Sequence, residues 1–483
     1  MSSFYRFRTI DALLGERQEL KKQEIYFAPP AQLNDPMEGY KELFWRGDQI
    51  VWHNLIRHYL LCLMQTMVIA MIAGKDYQPI FARGFVFSTQ LALPTDTLKA
   101  IHQRICAIFF AAHNLDSLPT LLASRKHPVR RDELEFYLRG LHPMALQSAI
   151  AVFREEKLIP AVNATKPLAP EFRDENIAKK LTKVLNAIKD SEDQVDAEAL
   201  RAAFSAARHI HSQMDLITYL GTTNELAQAW HSIFASFPER YIDSLGDLVY
   251  FDWYAACFIS DPTHAAMWGN YGDGHKGICL KIRAEEKPGQ SPIIKMRGIV
   301  GSYIGPTGQG STYGDLSLQF QKMNYVDKLA EIDFFRSIGR VTVGALKSEW
   351  YRDYQGRISS CADDVFGKKD DWHQRYWAAF HEMTATKLCD WRHEEEYRLM
   401  LTSVLGTFQE AKDRKLVYGF TDLEGLIFGI RTPLEDKVRI VNIIAKKCAE
   451  QGRKSFEFSQ ASYNAQSGKI ELRSLDLLKV NTA

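Results

Sequence analysis

Residues 248–259, LVYFDWYAACFI, decide how the chain is read. This near-continuous run of apolar and aromatic residues predicts a strand buried on both faces, at the centre of a sheet. Downstream, 276–283 alternates, with Ile278, Leu280 and Ile282 on one side, and reads as a strand with one polar face. Further strands are predicted at 397–401, 425–430, 455–459 and 470–473, with a helix over 434–450. Upstream, strands at 4–8 and 24–27 flank a helical turn at 11–19 and end at Pro29-Pro30. Between these parts, residues 52–237 carry apolar side chains at three- and four-residue spacing. Residues 98–114, 131–155, 171–189 and 196–220 read as helices, and the DSEDQVD turn at 190–196 supplies the last of these with an N-cap. Proline-punctuated 161–170 reads as a linker and glycine-rich 298–314 as a loop. Residues 326–350 and 371–388 read as helices. The pattern predicts an α+β protein with a mixed or antiparallel central sheet and flanking helices. A mostly α-helical insertion, 46–247, separates a first part of the core, 1–45, from a second, 248–483.

Bulk properties narrow the function classes. With 60 Lys+Arg against 59 Asp+Glu in 483 residues, the formal charge of +1 gives no global pull toward nucleic acid or anionic membrane. Seven scattered cysteines without a Cys-x-x-Cys favour a reducing compartment and no structural zinc. MSSFYRFRTI at the start has no signal-peptide core, so a cytoplasmic location is expected. Residues 59–73, YLLCLMQTMVIAMIA, are shorter than a membrane span and are interrupted by Gln65 and Thr66, so they predict a buried core helix rather than a membrane contact. The chain has no Gly-x-Ser-x-Gly elbow, no His-Glu-x-x-His, and no Gly-x-x-x-x-Gly-Lys phosphate cradle in 298–314.

Three segments carry candidate chemistry. In 33–39, LNDPMEG, Asn34, Asp35 and Pro36 are strong turn formers, and Asn34 and Asp35 are candidates to contact a ligand; a structural turn with Glu38 solvated is the alternative. In 267–277, MWGNYGDGHKG, four glycines let backbone approach closely, and Trp268, Tyr271 and His275 can stack or hydrogen-bond; a well-packed loop is the alternative. In 387–399, KLCDWRHEEEYRL, an extended chain from Glu394 onward places Glu394, Glu396 and Arg398 on one face, with Tyr397 and Leu399 toward the core. Such a face suits either an ion-pair lattice or an oriented catalytic glutamate.

Taken together the segments resemble a bacterial family known only as a domain of unknown function, number twenty-nine seventy-one. The resemblance rests on Tyr5-Arg6-Phe7-Arg8, Asn34–Glu38, Cys257-Phe258-Ile259-Ser260, then Met267, Trp268, Tyr271, His275 and Gly277, and finally Lys387, Trp391, Glu394, Glu396, Tyr397 and Arg398. It covers 1–45 and about 248–475 and leaves the helical insertion outside. The layout is also distantly similar to ADP-ribosyltransferase-type toxins. That similarity implies an enzyme using NAD as substrate, possessing Glu396 as first and Glu394 as second catalytic candidate. Arg6, Asn34, Asp35, Trp268, Tyr271, His275, Lys387 and Arg398 are the implied substrate-binding set. The acceptor would be a nucleic acid or protein, in a toxin or anti-phage defence setting. Two further readings stay open: a non-enzymatic interaction protein docking a protein partner through 46–247, and a metal-dependent phosphodiesterase or nuclease built on Asp35, Glu38, Glu394 and Glu396. No metal site is expected in the leading reading.

Overall fold

A computed structural model of the chain describes residues 2–74, 85–112, 115, 117–159, 177–191, 195–221, 225–286, 288–305, 308–367, 369–404 and 406–478. The linker expected at 161–170 lies outside these residues. The chain is an α+β protein with a large mixed sheet. It divides into two compact units: Met1–Tyr40, Asp252–Leu329 and His381–Ala483 form unit 1, and Lys41–Phe251 with Ala330–Phe380 form unit 2.

Unit 1 is built on an eight-stranded sheet. Its strands in chain order are β1 (Ser2–Arg8), β2 (Asp252–Ile259), β3 (Ile278–Ala284), β4 (Gln321–Lys322), β5 (Glu396–Ser403), β6 (Leu423–Phe428), β7 (Glu457–Asn464) and β8 (Lys469–Ser474). Across the sheet they run β8-β7-β6-β3-β1-β2-β5-β4. Only β6 and β7 pair in parallel, through the crossover helix Leu434–Gln451; the other ladders are antiparallel. The apolar run of β2 therefore does sit near the middle, flanked on one side by β1 and on the other by β5. A smaller sheet, with strands ordered Glu24–Tyr26, Lys415–Tyr418, Ile293–Gly305 and Gly308–Gln319, covers one face. Phe4, Phe258, Leu280 and Leu399 meet Met296, Ile299 and Leu416 there, and Ile440 and Ile444 of the crossover helix join the same core. The opposite face is closed by Met267 and Trp268 over Phe7, Ile259, Cys279 and Ile427.

Unit 2 is mostly helical. Helix Gln49–Ala73 starts at an Asp48 cap, whose Oδ1 accepts from the N–H groups of Ile50 and Val51. Its Oδ2 accepts from Ser360 N–H at 2.7 Å, which ties segment Ala330–Phe380 to this helix. The helix is long and apolar enough to cross a membrane, yet most of it is buried inside unit 2, which is compatible with a soluble protein. Three histidines are buried among these helices. His58 Nε2 faces the Val86 carbonyl (3.0 Å), His142 Nε2 that of Ile233 (2.7 Å) and His102 Nε2 that of Arg57 (3.1 Å). A carbonyl only accepts, so each Nε2 carries the proton; Nδ1 of His58 and His142 then accepts from Tyr241 and Tyr59. Burial pushes all three imidazoles down to about 4, so they are neutral near pH 7.

Several boundaries differ from the sequence reading. Residues 330–380, read with the second part of the core, belong to unit 2. Within 326–350, Glu331–Asp333 pairs in parallel with Glu42–Trp45, and only short helical turns follow, so tertiary pairing overrides helical propensity. The 371–388 helix stops at Thr384, and Thr386–Leu388 forms a short strand beside Asn324–Val326. The glycine-rich 298–314 is not a loop but the paired ends of strands Ile293–Gly305 and Gly308–Gln319. Two of its glycines serve close packing: a Cβ on Gly310 would lie 2.5 Å from the ring of its cross-strand partner Tyr303, and one on Gly298 2.8 Å from Leu416.

Candidate functional site

The site opens where two central strands part. β1 and β2 share the single ladder pair Tyr5↔Ile259, whereas β1 and β3 stay paired over the whole strand. Further along β2, Ala255 pairs instead with Ala28, through N–H···O bonds of 2.8 and 2.9 Å. Between these pairs the Cys257 carbonyl accepts from Arg6 Nη1 at 2.9 Å, and Arg6 Nη2 donates to the Tyr26 carbonyl at 3.2 Å. A guanidinium thus takes the place of missing ladder bonds, with its carbon 5.4 Å from the Phe258 ring centre. A cavity of about 440 Å³ occupies the parting, within the range of small-ligand sites. Ladder pairs share a face, so Tyr5, Ile259 and Glu396 lie on one side of the sheet and, by alternation, Arg6 and Arg8 on the other. The cavity lining draws on both sets at the parting.

On the Glu396 side the wall is a continuous network of charged groups. Lys387, Glu394, Glu396 and Arg398 are only 4, 3, 3 and 1% exposed. Arg398 sits on β5 beside Glu396, donates to it through Nε (2.7 Å) and Nη2 (3.1 Å), and grips Glu38 with both Nη atoms at 2.7 Å. Lys387 Nζ donates to Glu394 at 2.5 Å and to Glu396 at 3.1 Å, and Tyr271 Oη donates to the other Glu394 oxygen at 2.5 Å. Lys387 is delivered by the Thr386–Leu388 strand, where it pairs with Tyr325; the Tyr325 hydroxyl in turn accepts from Glu396 N–H at 2.9 Å. Burial alone would raise the Glu396 carboxyl, but Arg398 and Lys387 outweigh it and hold the group at about 2. Burial would lower Lys387, and Glu396 and Glu394 reverse that to a net upward shift. Tyr271 is raised by burial and by Glu394, so it donates as a phenol. The Cys257 thiol is also raised, by burial and then Glu396, which removes it as a thiolate nucleophile near pH 7.

Arg6, Tyr271, Lys387, Glu394, Glu396 and Arg398 thus line one cavity, joined at its rim by exposed Asn34. Glu394 arrives by an unforeseen route. It ends the 3₁₀ helix Cys389–Glu394, and Glu395 at φ 44° turns the chain into β5, so only Glu396 and Arg398 share the strand face. Three candidates lie outside the cavity lining. Asp35 Oδ1 accepts from Met37 N–H (2.8 Å), closing its own turn outside the cavity lining. Trp268 is fully buried, donates to the Pro262 carbonyl (2.7 Å) and packs edge-on against Phe7. His275 adopts φ 70°, and its carbonyl accepts from Arg431 N–H (2.9 Å) in a latch between loops. Two of the four glycines of 267–277 admit protein backbone: a Cβ on Gly277 would lie 2.4 Å from the Arg8 carbonyl and one on Gly272 2.8 Å from the Trp268 carbonyl. Because Asp35 stands apart, the four-carboxylate metal set is not assembled; Lys387 and Arg398 hold its other three members. Among the described residues no group of three or more His, Cys, Asp or Glu is placed to hold a metal ion.

Arg8 and Cys257, quoted for the family resemblance without a site role, also line the cavity, as do Arg17 and Tyr26, which were not singled out from sequence. Tyr5-Arg6-Phe7-Arg8 did carry one signal, since alternation puts both arginines on one face. No family model, curated protein or solved structure matches the chain, so the family resemblance rests on the residues quoted for it.

Proposed function

We propose that unit 1 is an enzyme unit that takes NAD and transfers its ADP-ribosyl group, with Glu394 as the catalytic carboxylate. The observation that carries this reading is the placement of Glu394 on the wall of a ligand-sized cavity, with each of its oxygens oriented by one donor, Tyr271 or Lys387. A carboxylate oxygen accepts about two hydrogen bonds, which leaves each one free for a ribose hydroxyl. In the step, the bond from ribose C1′ to the pyridinium nitrogen breaks and its electron pair leaves with neutral nicotinamide. The positive charge that develops at C1′ and the ring oxygen is stabilised by the carboxylate. An acceptor O–H or N–H of a protein or nucleic acid, or water, forms the new bond to C1′ and gives up its proton to bulk water. Glu396, ranked first from sequence, becomes the anchor: Arg398 and Lys387 engage both its oxygens.

The test is nicotinamide release from NAD by the full chain, with candidate acceptors present. Release that falls about 10²–10³-fold in Glu394→Gln, with the fold intact, supports the reading. Absence of both NAD binding and release by the wild type sinks it. A second reading, a ligand-binding module without turnover, is favoured by the fact that each of the three glutamates of the network already faces a cation. NAD binding without release would select it.

A further inference from the structure

The cavity is electrically polar along its length, and its two ends are unequal in opposite senses. At the Glu394 end, the lining carboxylates Glu394 and Glu396 face the lining cations Lys387 and Arg398, and Glu38, bonded to Arg398 outside the lining, brings an excess of one negative charge. At the other end stand Arg6, Arg8 and Arg17. Arg8 is neutralised by Glu19, with Nε to Oε2 at 2.7 Å. Arg6 is 8% exposed, and its guanidinium meets the neutral carbonyls of Cys257 and Tyr26 rather than a carboxylate. Arg17 stands in the turn just before Glu19, is exposed, and has no ion pair among the described residues. Among the described residues Glu19 is the one carboxylate facing these three guanidiniums, which leaves an excess of two positive charges. Burying a guanidinium without an anion is costly, and a bound ligand is the remaining source of one.

We propose that the cavity orients its ligand by charge, with a phosphate or diphosphate held by Arg6 and Arg17 and the glycosyl carbon presented to Glu394. This rests on the reading of the cavity as a ligand site given above and adds which end of the ligand goes where. Arginine pairs take phosphate oxygens through fixed, paired N–H donors, which matches the planar groups on this wall. The opposite end, with its negative excess, suits the cationic ring of an N-glycosylated pyridinium. A neutral nucleoside has nothing to offer the arginine end, so the ligand class is a nucleotide or nucleoside diphosphate conjugate.

The test is calorimetric titration of the full chain and of Arg17→Glu with three probes: inorganic pyrophosphate, nicotinamide mononucleotide and nicotinamide riboside. Arg17 is exposed, so the variant keeps the fold. In the wild type, pyrophosphate binds and the mononucleotide binds at least about ten-fold more tightly than the riboside, from the worth of a charge-assisted contact. In Arg17→Glu the affinities for pyrophosphate and the mononucleotide fall by about ten-fold or more, while any affinity for the riboside is unchanged. No pyrophosphate binding to the wild type, or equal losses for mononucleotide and riboside in the variant, overturns the proposal. The outcome is separable from the enzymatic reading. Pyrophosphate binding that is lost in Arg17→Glu, without nicotinamide release from NAD, keeps the anion end and removes the transferase. NAD turnover without pyrophosphate binding does the reverse.

Discussion

Unit 2 buries His58, His102 and His142 as neutral rings bonded to carbonyls, whereas unit 1 buries Lys387, Glu394, Glu396 and Arg398 as charges along a cavity. Unit 2 also buries the Arg125–Glu133 ion pair, which Tyr137 covers with bonds to both partners. The difference teaches what each kind of burial is for. A neutral ring that donates to one carbonyl and accepts from a tyrosine satisfies helix-to-helix contacts at small desolvation cost. A buried five-membered ion network is expensive to desolvate, and well-packed hydrophobic residues would be at least as stable in its place. Its position on a cavity wall therefore points to use rather than to stability.

Acid separates the units most strongly. The folded-state values of the three histidines, about 4, lie below the 6.5 of a free imidazole, so the unfolded chain takes up their protons first as pH falls. Unit 2 is fully supported above about pH 6.5 and loses on the order of 3 kcal/mol per histidine by pH 4. Glu396 works in a lower window: its contribution is present above about 4.5 and is lost as pH falls toward 2. Far-ultraviolet circular dichroism during acid titration should show helix melting before the sheet. Simultaneous loss would break the comparison.

Next in size, Arg398→Leu leaves Glu38 and Glu396 without their shared cation and should destabilise unit 1 by about 3–5 kcal/mol. Urea unfolding followed by hydrogen exchange should locate the loss in β5 and β2, with helix Gln49–Ala73 unaffected; a shift confined to unit 2 would contradict it. A smaller change sharpens the other side. Asp48→Ala removes a helix cap and the bonds to Ser360, a loss of about 1–2 kcal/mol, read as faster exchange at Ile50, Val51 and Ser360.

Periodicity made much of unit 1 legible. Alternation placed β3 and β5, the apolar run placed β2 near the sheet centre, and the Glu396/Arg398 face followed from period two. What escaped depends on contacts distant in sequence. Nothing near Glu394 announces that Glu395 will turn left-handed and keep Glu394 at the network. Gly298–Gly314 reads as flexible until Tyr303 and Leu416 are seen to occupy the space a Cβ would need. Trp268 and His275 have the chemistry of ligand contacts, but neither lines the cavity, and the Trp268 ring is bonded to Pro262. Arg17 carries no local signal at all, because its meaning depends on which other charges remain unpaired.

The division of labour between the two glutamates is the central claim, and Glu394→Gln measured beside Glu396→Gln tests it most directly. Nicotinamide release from NAD and urea stability should be followed for both variants. The expected result is an asymmetry: Glu394→Gln stays folded and loses turnover by about 10²–10³-fold, while Glu396→Gln loses unit 1 stability by about 3 kcal/mol as it gives up the buried charged bonds to Arg398 and Lys387, which keep only Glu38 and Glu394. A Glu394→Gln variant that turns over NAD at the wild-type rate, or a Glu396→Gln variant that is inactive at full stability, would contradict it.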